Sequence, residues 1–563
     1  MKKHFLFSIL LGWVFTLPCN AAQEGRQIKD LTSSSWSITL DKTAKWQNDK
    51  LYLPPVNPEN LPINLPSGGW TLLDNPDTTG ITLPATVEGT LWGYNGQTFG
   101  VTGNYTGVSW FHTRTFIPQS WKGKRIVLQV GSVRFRAEIF INRELSGYDL
   151  VNSTPFDINI TPYVKYGKEN EIAFRITDPN GNFNWKDSQL YTWGNYFTNP
   201  SHGFGGITGK VTLIATDPLY ISDVFIKNKP QPHEIEVEIS LDNGYADVQK
   251  GKEIQLEIME HVSGKSIYKK EYSLPPLQTG SNTQTYHIAL PKAKLWSIDS
   301  PNLYDLKVTV GNDNRSQRFG FRWFEIKDIN GDKQFYLNGK RIVLRTAISW
   351  SFWPDNGIAP TDELARRQIE IAKKLGLNML NFHRTIGAPN VLDYADELGL
   401  LYFEEPGGNQ YSASRFNDGT EATAFYFGYR NEKLARMIKR DRNHPSLVIY
   451  NLHNERGAWP QRQDYDQMRM AHTIDPTRIL TYNSSNGENP LNEPNARFKL
   501  HLLPYDTTFY DYGWYDRHHA GGPGCYHDNL YLGKDNYHRY SDHRDEIVYW
   551  GEDGAIGTPP RSQ

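Results

Sequence analysis

Two glutamates, Glu455 and Glu552, follow apolar segments that have the composition of buried strands. Glu455 lies within the stretch HPSLVIYNLHNERG, where Asn454 stands directly before it, and Glu552 comes shortly after EIVYW. Two carboxylates that converge on one cavity can cleave a glycosidic bond, because one attacks the anomeric carbon while the other protonates the leaving oxygen. Such a pair needs unlike surroundings, since the acid requires a raised pKa and the nucleophile must stay ionised.

The ends of other predicted strands supply polar side chains for binding the substrate. Asn454 is expected to donate to a sugar 2-hydroxyl, a contact that strengthens as the oxocarbenium ion forms. Arg384 is expected to keep Glu552 ionised. Glu404 and Glu405 must point to opposite faces of their strand, and Glu405 is taken as the one that lines the site. The predicted substrate-binding residues are Asn454, Arg384, His383, Glu405, His501 and Tyr505.

Each of these residues also has a purely structural interpretation. A single glutamate at a strand end is more often a rim residue held by a salt bridge. The asparagine before Glu455, the apolar strand behind it and the second candidate at Glu552 favour catalysis. No metal or cofactor is predicted, because the 16 histidines are scattered and the adjacent His518-His519 cannot easily face one ion.

Residues 23–217 and 218–328 have the pattern of two β-sandwiches. Short alternating or β-branched strands, such as RIVLQV at Arg125–Val130, are separated by polar turns, with no long amphipathic helix between them. The first segment predicts a jelly-roll sandwich. The second has about seven strands with turn signals every 8–12 residues or so, which predicts an immunoglobulin-like sandwich.

From residue 329 to 563 strands alternate with helices, which predicts a parallel (β/α)₈ barrel. Reacting residues of such barrels lie at the carboxyl ends of the strands, so Glu455 on strand four and Glu552 on strand seven are expected to converge. The pattern stops before an eighth strand and helix, and a C-terminal truncation is therefore expected. The strands are predicted at Ile342–Leu344, Leu377–Phe382, Leu400–Glu405, Leu447–Leu452, Ile479–Asn483, Phe498–Leu503 and Glu546–Trp550.

The bulk composition argues against two classes of partner. The chain has 563 residues, and its 60 basic and 62 acidic side chains give a net charge of −2, which attracts neither nucleic acid nor an anionic membrane. Residues 1–22 have the basic start, apolar core and small residues of a signal peptide, which predicts export to the periplasm or the exterior. The apolar run of this segment is short for a membrane anchor, and no second run follows it. Lipid anchoring at Cys19 and the oligomeric state stay open.

Several segments resemble glycoside hydrolase family 2, which includes β-galactosidases, β-glucuronidases and β-mannosidases. HPSLVIYNLHNERG is similar to its acid/base signature, Gly107–Gly147 to its N-terminal sandwich, Leu295–Val308 to its immunoglobulin-like domain, and Phe335–Arg345 to its barrel entry. The resemblance implies a retaining exo-β-glycosidase acting on oligosaccharides or glycosides. It also implies that Glu455 is the acid/base, Asn454 its partner and Glu552 the nucleophile, with Tyr505 or Tyr510 hydrogen-bonded to that nucleophile.

Two motifs depart from the pattern of that family. Glu552-Asp553-Gly554 stands where the family usually has Glu-Tyr-Gly or Glu-Phe-Gly, and NFHRTIGAP replaces its Arg-Thr-Ser-His-Tyr-Pro. The alternative that stays open is a truncated relative that binds glycans without catalysis. A barrel lacking its last strand would expose a sheet edge and apolar helix faces.

Overall fold

The computed structural model describes residues 25–74, 79–91, 105–179, 191–198, 203–349, 359–407, 420–454, 460–484, 501–509, 514–518 and 547–552. These residues form two antiparallel β-sandwiches followed by a largely parallel sheet with helices. The predicted fold class, a multidomain protein with β and α/β parts, is confirmed.

The first sandwich has the jelly-roll architecture. One sheet runs β1-β15-β6-β10 and the other β3-β2-β5-β11-β8-β9, and the side chains between them form a buried core that includes Trp36, Phe111 and Phe174. In such a sandwich, apolar side chains that point inward alternate along each strand with polar ones that point to solvent. The elements are β1 (Gln27–Asp30), β2 (Trp36–Asp41), β3 (Thr79–Ile81), β4 (Ala85–Thr86), α1 (Val87–Leu91), β5 (Gly107–Ile117), β6 (Arg125–Val130), β7 (Val133–Arg134), β8 (Arg136–Ile141), β9 (Glu144–Asp149), β10 (Phe156–Asn159), β11 (Lys168–Asp178), β12 (Tyr191–Trp193), β13 (Tyr196–Thr198), β14 (Gly206–Ile207) and β15 (Val211–Thr216).

The second sandwich is immunoglobulin-like, with one sheet ordered β16-β17-β20 and the other β19-β18-β21-β22. Strand β17 alternates strictly, since every second residue of EIEVEISL is buried in the core. The strands are β16 (Leu219–Asn228), β17 (Glu234–Asn243), β18 (Glu253–Glu260), β19 (Ser266–Ser273), β20 (Gly280–Ala289), β21 (Tyr304–Val310) and β22 (Asp313–Phe319).

A small antiparallel sheet leads into the barrel and closes its floor. Phe324, Phe335 and Leu337 of this sheet pack in one cluster with Met379 and Phe403 of the barrel strands. The small sheet and the barrel elements are β23 (Phe324–Ile329), β24 (Asp332–Leu337), β25 (Lys340–Arg341), β26 (Thr346–Ser349), α2 (Asp362–Lys374), β27 (Met379–Phe382), α3 (Pro389–Leu398), β28 (Leu401–Glu404), α4 (Glu421–Asp441), β29 (Leu447–Asn454), α5 (Arg462–Ile474), β30 (Ile479–Ser484), β31 (His501–Leu502), β32 (Trp514–His518) and β33 (Ile547–Glu552).

The strands β26, β27, β28, β29 and β30 pair in that order and are parallel. β32 and β33 pair parallel with each other, β32 lies beside β30, and β33 lies beside β26. The strands therefore curve round so that the seventh predicted strand returns to the first. The carboxyl ends of β26, β27, β28, β29 and β30 face the same side, where barrel sites are built.

Local signals explain where the helices begin and end. The hydroxyl of Thr361 accepts from the backbone N–H of Leu364 and caps α2, and Thr420 caps α4 in the same way. Pro389 occupies the first turn of α3, and Gly399 ends it in the left-handed conformation at φ 76°.

Two strand predictions are wrong in detail, and one further strand was not predicted. Residues 342–344 are not a strand, because the N–H of Ile342 donates to Phe335 in the preceding hairpin and that of Arg345 donates to the Asn378 side chain. The chain joins the barrel only at Thr346. Within the predicted sixth strand, the described strand residues His501–Leu502 pair antiparallel with β30. The sequence does not predict β32, because WYDRH has no β-branched residue and no apolar run.

Candidate active site

The side chains of Arg384 and Asn454 contact each other at the carboxyl ends of the barrel strands. Arg384 follows β27 and Asn454 ends β29, and their side chains are 9% and 0% exposed. The amide oxygen of Asn454, oriented as its surroundings require, accepts from Nε and Nη2 of Arg384, both at 3.0 Å. A planar guanidinium that donates twice to one oxygen holds the amide in a single orientation. The pair has the fixed geometry that a substrate contact requires.

Glu405 lies beneath this pair and ties three strands together. Its Oε2 accepts from the backbone N–H of Arg384 at 2.9 Å, and its Oε1 accepts from Nδ2 of Asn451 at 3.0 Å. The Oδ1 of Asn451 in turn accepts from the Thr481 hydroxyl at 2.7 Å. The Glu405, Asn451 and Thr481 side chains are at most 2% exposed. They form a buried hydrogen-bonded network on the inner face of the sheet.

Glu404 points the other way, as the alternation of a strand requires. Its Oε1 accepts from the backbone N–H of Gly387 at 3.1 Å and lies 3.5 Å from Nη2 of Arg440 on α4. Burial and the neighbouring carboxylate of Asp441 raise the pKa of Glu404 well above its ordinary value. Because Arg440 also donates to Asp441 at 2.6 Å, this group belongs to the layer between sheet and helices.

The two predicted histidines are buried on the inner side. His383 continues the alternation of Met379 and Asn381 and is 2% exposed, while its backbone N–H donates to Ser349 at the end of β26. His501 lies directly opposite Thr481 in the pairing of β31 with β30. Opposite residues of an antiparallel pair share a face, which places His501 on the face that carries the Thr481–Asn451 bond.

Tyr505 is the predicted site residue that the structure places elsewhere. Its hydroxyl donates to the carbonyl of Asn228 at 2.9 Å, and its ring stacks on Trp323 with centroids 6.0 Å apart. Its N–H donates to Pro476, which precedes β30 and thus lies at the amino end of that strand. The reason is the turn after β31, which carries the chain back towards the immunoglobulin-like sandwich. Its assignment to the substrate site is wrong.

Of the two predicted catalytic glutamates, the structure describes only Glu552. Glu455 lies outside the described residues and follows Asn454 directly in the chain, while Tyr510 also lies outside them. Glu552 is the last residue of β33, which lies beside β26. The backbone therefore brings the seventh predicted strand beside the first barrel strand. The roles of both glutamates stay predictions.

The sequence matches three consecutive family descriptions. Residues 29–216 match "Glycosyl hydrolases family 2, sugar binding domain", residues 219–322 match "Glycosyl hydrolases family 2", and residues 326–512 match "Glycosyl hydrolases family 2, TIM barrel domain". The chain belongs to glycosyl hydrolase family 2. The resemblance inferred from its motifs is confirmed.

Individual curated relatives show how far the likeness extends. A β-galactosidase of Thermoanaerobacter pseudethanolicus is 29% identical over 385 residues, which cover 67% of this chain and 48% of the relative. A putative β-glucuronidase of Formosa agariphila is 27% identical over 394 residues, which cover 66% of this chain and 44% of the relative. The chain spans about half the length of these curated relatives.

Solved structures of other proteins share the fold. A putative β-galactosidase of Bacteroides fragilis gives a TM-score of 0.66 at 18% identity and covers 93% of this chain and 71% of its own. The Bacteroides uniformis β-glucuronidase 2, covalently bound to cyclophellitol-6-carboxylate aziridine, gives a TM-score of 0.64 at 22% identity. The match covers 84% of this chain and 54% of that protein.

Sequence reasoning missed two residues, Asn451 and Thr481, of the buried network around Glu405. One signal was available for Asn451, because a single amide interrupts the apolar run LVIYNL of a strand that is buried throughout. A buried amide must find partners, and here they are Glu405 and Thr481. Thr481 carries no such signal, since threonine is common in strands.

Two kinds of feature are absent from the part of the chain that the structure describes. Within it, no cluster of three or more histidine, cysteine, aspartate or glutamate side chains has the arrangement of a metal site. No helix in that part is long and apolar enough to cross a membrane.

Proposed function

We propose that this protein hydrolyses terminal β-linked glycosides with retention of configuration, using Glu455 as acid/base and Glu552 as nucleophile. The observation that carries the proposal is the Arg384–Asn454 pair, which fixes an amide at the carboxyl end of β29 one residue before Glu455. An amide there is suited to a sugar hydroxyl, and the next residue is suited to the glycosidic oxygen.

The proposed reaction proceeds in two displacements. The Glu552 carboxylate attacks the anomeric carbon, the bond to the leaving oxygen breaks, and Glu455 gives its proton to that oxygen. A water molecule then attacks the glycosyl ester, Glu455 takes the proton from the water, and Glu552 leaves as a carboxylate. Asn454 donates to the sugar oxygen next to the reacting centre in both steps.

The relatives favour this chemistry and this class of substrate. The curated relatives are named β-galactosidases and β-glucuronidases, whose substrates are β-glycosides. The Bacteroides uniformis relative is described as covalently bound to its aziridine. A covalent adduct is what a nucleophile of a retaining glycosidase forms. Export by residues 1–22 is a further part of the proposal, and it would place the activity on glycans outside the cytoplasm.

The test is a comparison of aryl β-galactoside and aryl β-glucuronide turnover by the native chain and by Glu455→Gln and Glu552→Gln. We expect each substitution to lower kcat by about 10²–10⁴-fold, the usual contribution of a proton-transfer or covalent group. Glu421→Gln, at a side chain that is 74% exposed, is the matched control and should keep full activity.

Two outcomes would contradict the proposal. Full activity of Glu455→Gln or Glu552→Gln would remove that residue from the mechanism. Binding of the glycosides by the native chain without any turnover would instead favour a glycan-binding protein that lacks catalysis.

A further inference from the structure

We propose that Glu405 is a positioning residue, whose carboxylate fixes Arg384 and thereby the Asn454 amide, and that it does not bind the sugar itself. This inference rests on the proposed function and assigns a new role within the same site. It replaces the expectation that Glu405 is a substrate ligand.

The backbone of Arg384 is held in an unusual conformation. Its φ is 55°, in the left-handed region that a residue other than glycine adopts only when its surroundings hold it there. The carboxylate of Glu405 supplies that hold, because Oε2 accepts the Arg384 N–H at 2.9 Å. On the other side, the Glu404 carboxylate accepts the N–H of Gly387, three residues on. Adjacent glutamates thus clamp both ends of the loop from Arg384 to Gly387.

The Glu405 carboxylate is itself fixed by its neighbours. Oε1 of Glu405 accepts from Nδ2 of Asn451, and the same Nδ2 donates to the carbonyl of His453 at 2.6 Å. Oδ1 of Asn451 accepts from Thr481 on β30. Both carboxylate oxygens are therefore bonded to protein donors, which suits a structural role better than a ligand role.

The position of Arg384 decides what Asn454 can offer to a ligand. Because Nε and Nη2 of Arg384 both donate to Oδ1 of Asn454, the amide is held with Nδ2 as its donor end. The site therefore offers a donor at this point, which selects an acceptor oxygen such as that of a sugar hydroxyl. A rotated guanidinium would release the amide and lose this selection.

The test exchanges the acid and the amide between positions 405 and 451. In Glu405→Gln, the introduced amide can still accept the Arg384 N–H but turns a donor towards the Asn451 donor. We expect kcat to fall by about 10–100-fold with KM little changed, since small displacements of positioned groups cost this much. Asn451→Asp places two carboxylates face to face and should lose at least as much. The double variant Glu405→Gln/Asn451→Asp restores a donor opposite an acceptor between the two side chains. It leaves the His453 carbonyl without its donor, so kcat should recover in part, to a value above that of either single variant.

The swap separates positioning from direct binding. Failure of the double variant to recover, with all variants folded by circular dichroism, would mean that the charge at position 405 is itself required and would overturn the proposal. EDTA could instead abolish the activity of the native chain, and Mg²⁺ could restore it there but not in Glu405→Gln. That result would assign Glu405 as a metal ligand. We expect activity to be indifferent to EDTA.

The same variants distinguish failure of this inference from failure of the proposed function. If the native chain turns over no glycoside, the proposed function fails, and calorimetric binding of the aryl β-glycosides replaces kcat as the readout. The positioning role then predicts weaker binding in each single variant and recovery in the double variant. Equal affinity in the native chain and all three variants would overturn the inference independently.

Discussion

At the scale of single residues, the orientation of the Asn454 amide is decided by its neighbour. The Arg384 guanidinium occupies Oδ1, so the amide can present only Nδ2 to a ligand. The residue types at this point follow from the sequence, since Asn454 and Arg384 both lie at predicted strand ends. The contact between them does not follow from the sequence, which predicted that Arg384 would interact with Glu552. Which polar groups pair depends on distances across the sheet.

The expected result of Asn454→Ala is a loss that depends on the substrate. On the parent glycoside, kcat/KM should fall by about 10²-fold, since contacts to the 2-hydroxyl strengthen in the transition state. On the matching 2-deoxy glycoside the same substitution should change kcat/KM little, because the partner of the amide is already missing. Steady-state kinetics on the two substrates make the comparison, and equal losses on both would show that Asn454 does not act on that hydroxyl.

At the scale of elements, the loop after β27 carries the site and is held from both faces of the sheet. Gly387 donates its N–H to Glu404, and its carbonyl accepts from Nη2 of Arg440 at 2.7 Å. A Cβ added at this position would overlap the Phe382 ring. Position 387 therefore requires glycine, because the backbone there lies against the Phe382 ring where the loop turns back over its own strand.

Gly387→Ala should disturb both stability and activity. We expect the free energy of unfolding to fall by about 1–3 kcal/mol, the usual cost of overpacking, and kcat to fall because Arg384 moves with the loop. Gly80→Ala is the control, since a Cβ there would meet nothing within 4 Å. Urea unfolding followed by tryptophan fluorescence and activity assays would measure the two effects. Wild-type stability and kcat in Gly387→Ala would rule out the clamp.

The elements also show how far the sequence reaches. Thr361, Pro389 and Gly399 mark helix ends by residue type alone, because capping and first-turn preferences are local interactions. The start of β26 and the existence of β32 were missed, because the first depends on bonds to Phe335 and Asn378 and the second on a parallel neighbour distant in sequence. The misplacement of Tyr505 has the same origin, since its partner Asn228 belongs to another sandwich.

At the scale of the whole molecule, both sandwiches pack on the barrel next to the elements of the site. Arg440, which holds Gly387, also donates to the carbonyl of Ser153 in the jelly-roll at 3.2 Å, and Tyr429 donates to Asn152 at 2.7 Å. On the immunoglobulin-like side, the Asn443 amide bonds to the backbone of both Val224 and Ile226 at 2.9 Å. Helix α4 and the turn after it thus contact both sandwiches, and Arg440 of this helix also bonds to the loop that carries Arg384.

Two glutamates that only the folded barrel can bring together carry the proposed catalysis, Glu455 after β29 and Glu552 at the end of β33. A 2-deoxy-2-fluoro β-glycoside with a good leaving group tests their roles directly, because fluorine slows hydrolysis of the covalent intermediate and lets it accumulate. Mass spectrometry of the intact protein should show one added fluoroglycosyl group, and peptide mapping should place it on Glu552. An adduct on another carboxylate, or none on a chain that hydrolyses the parent glycoside, would contradict the proposed mechanism.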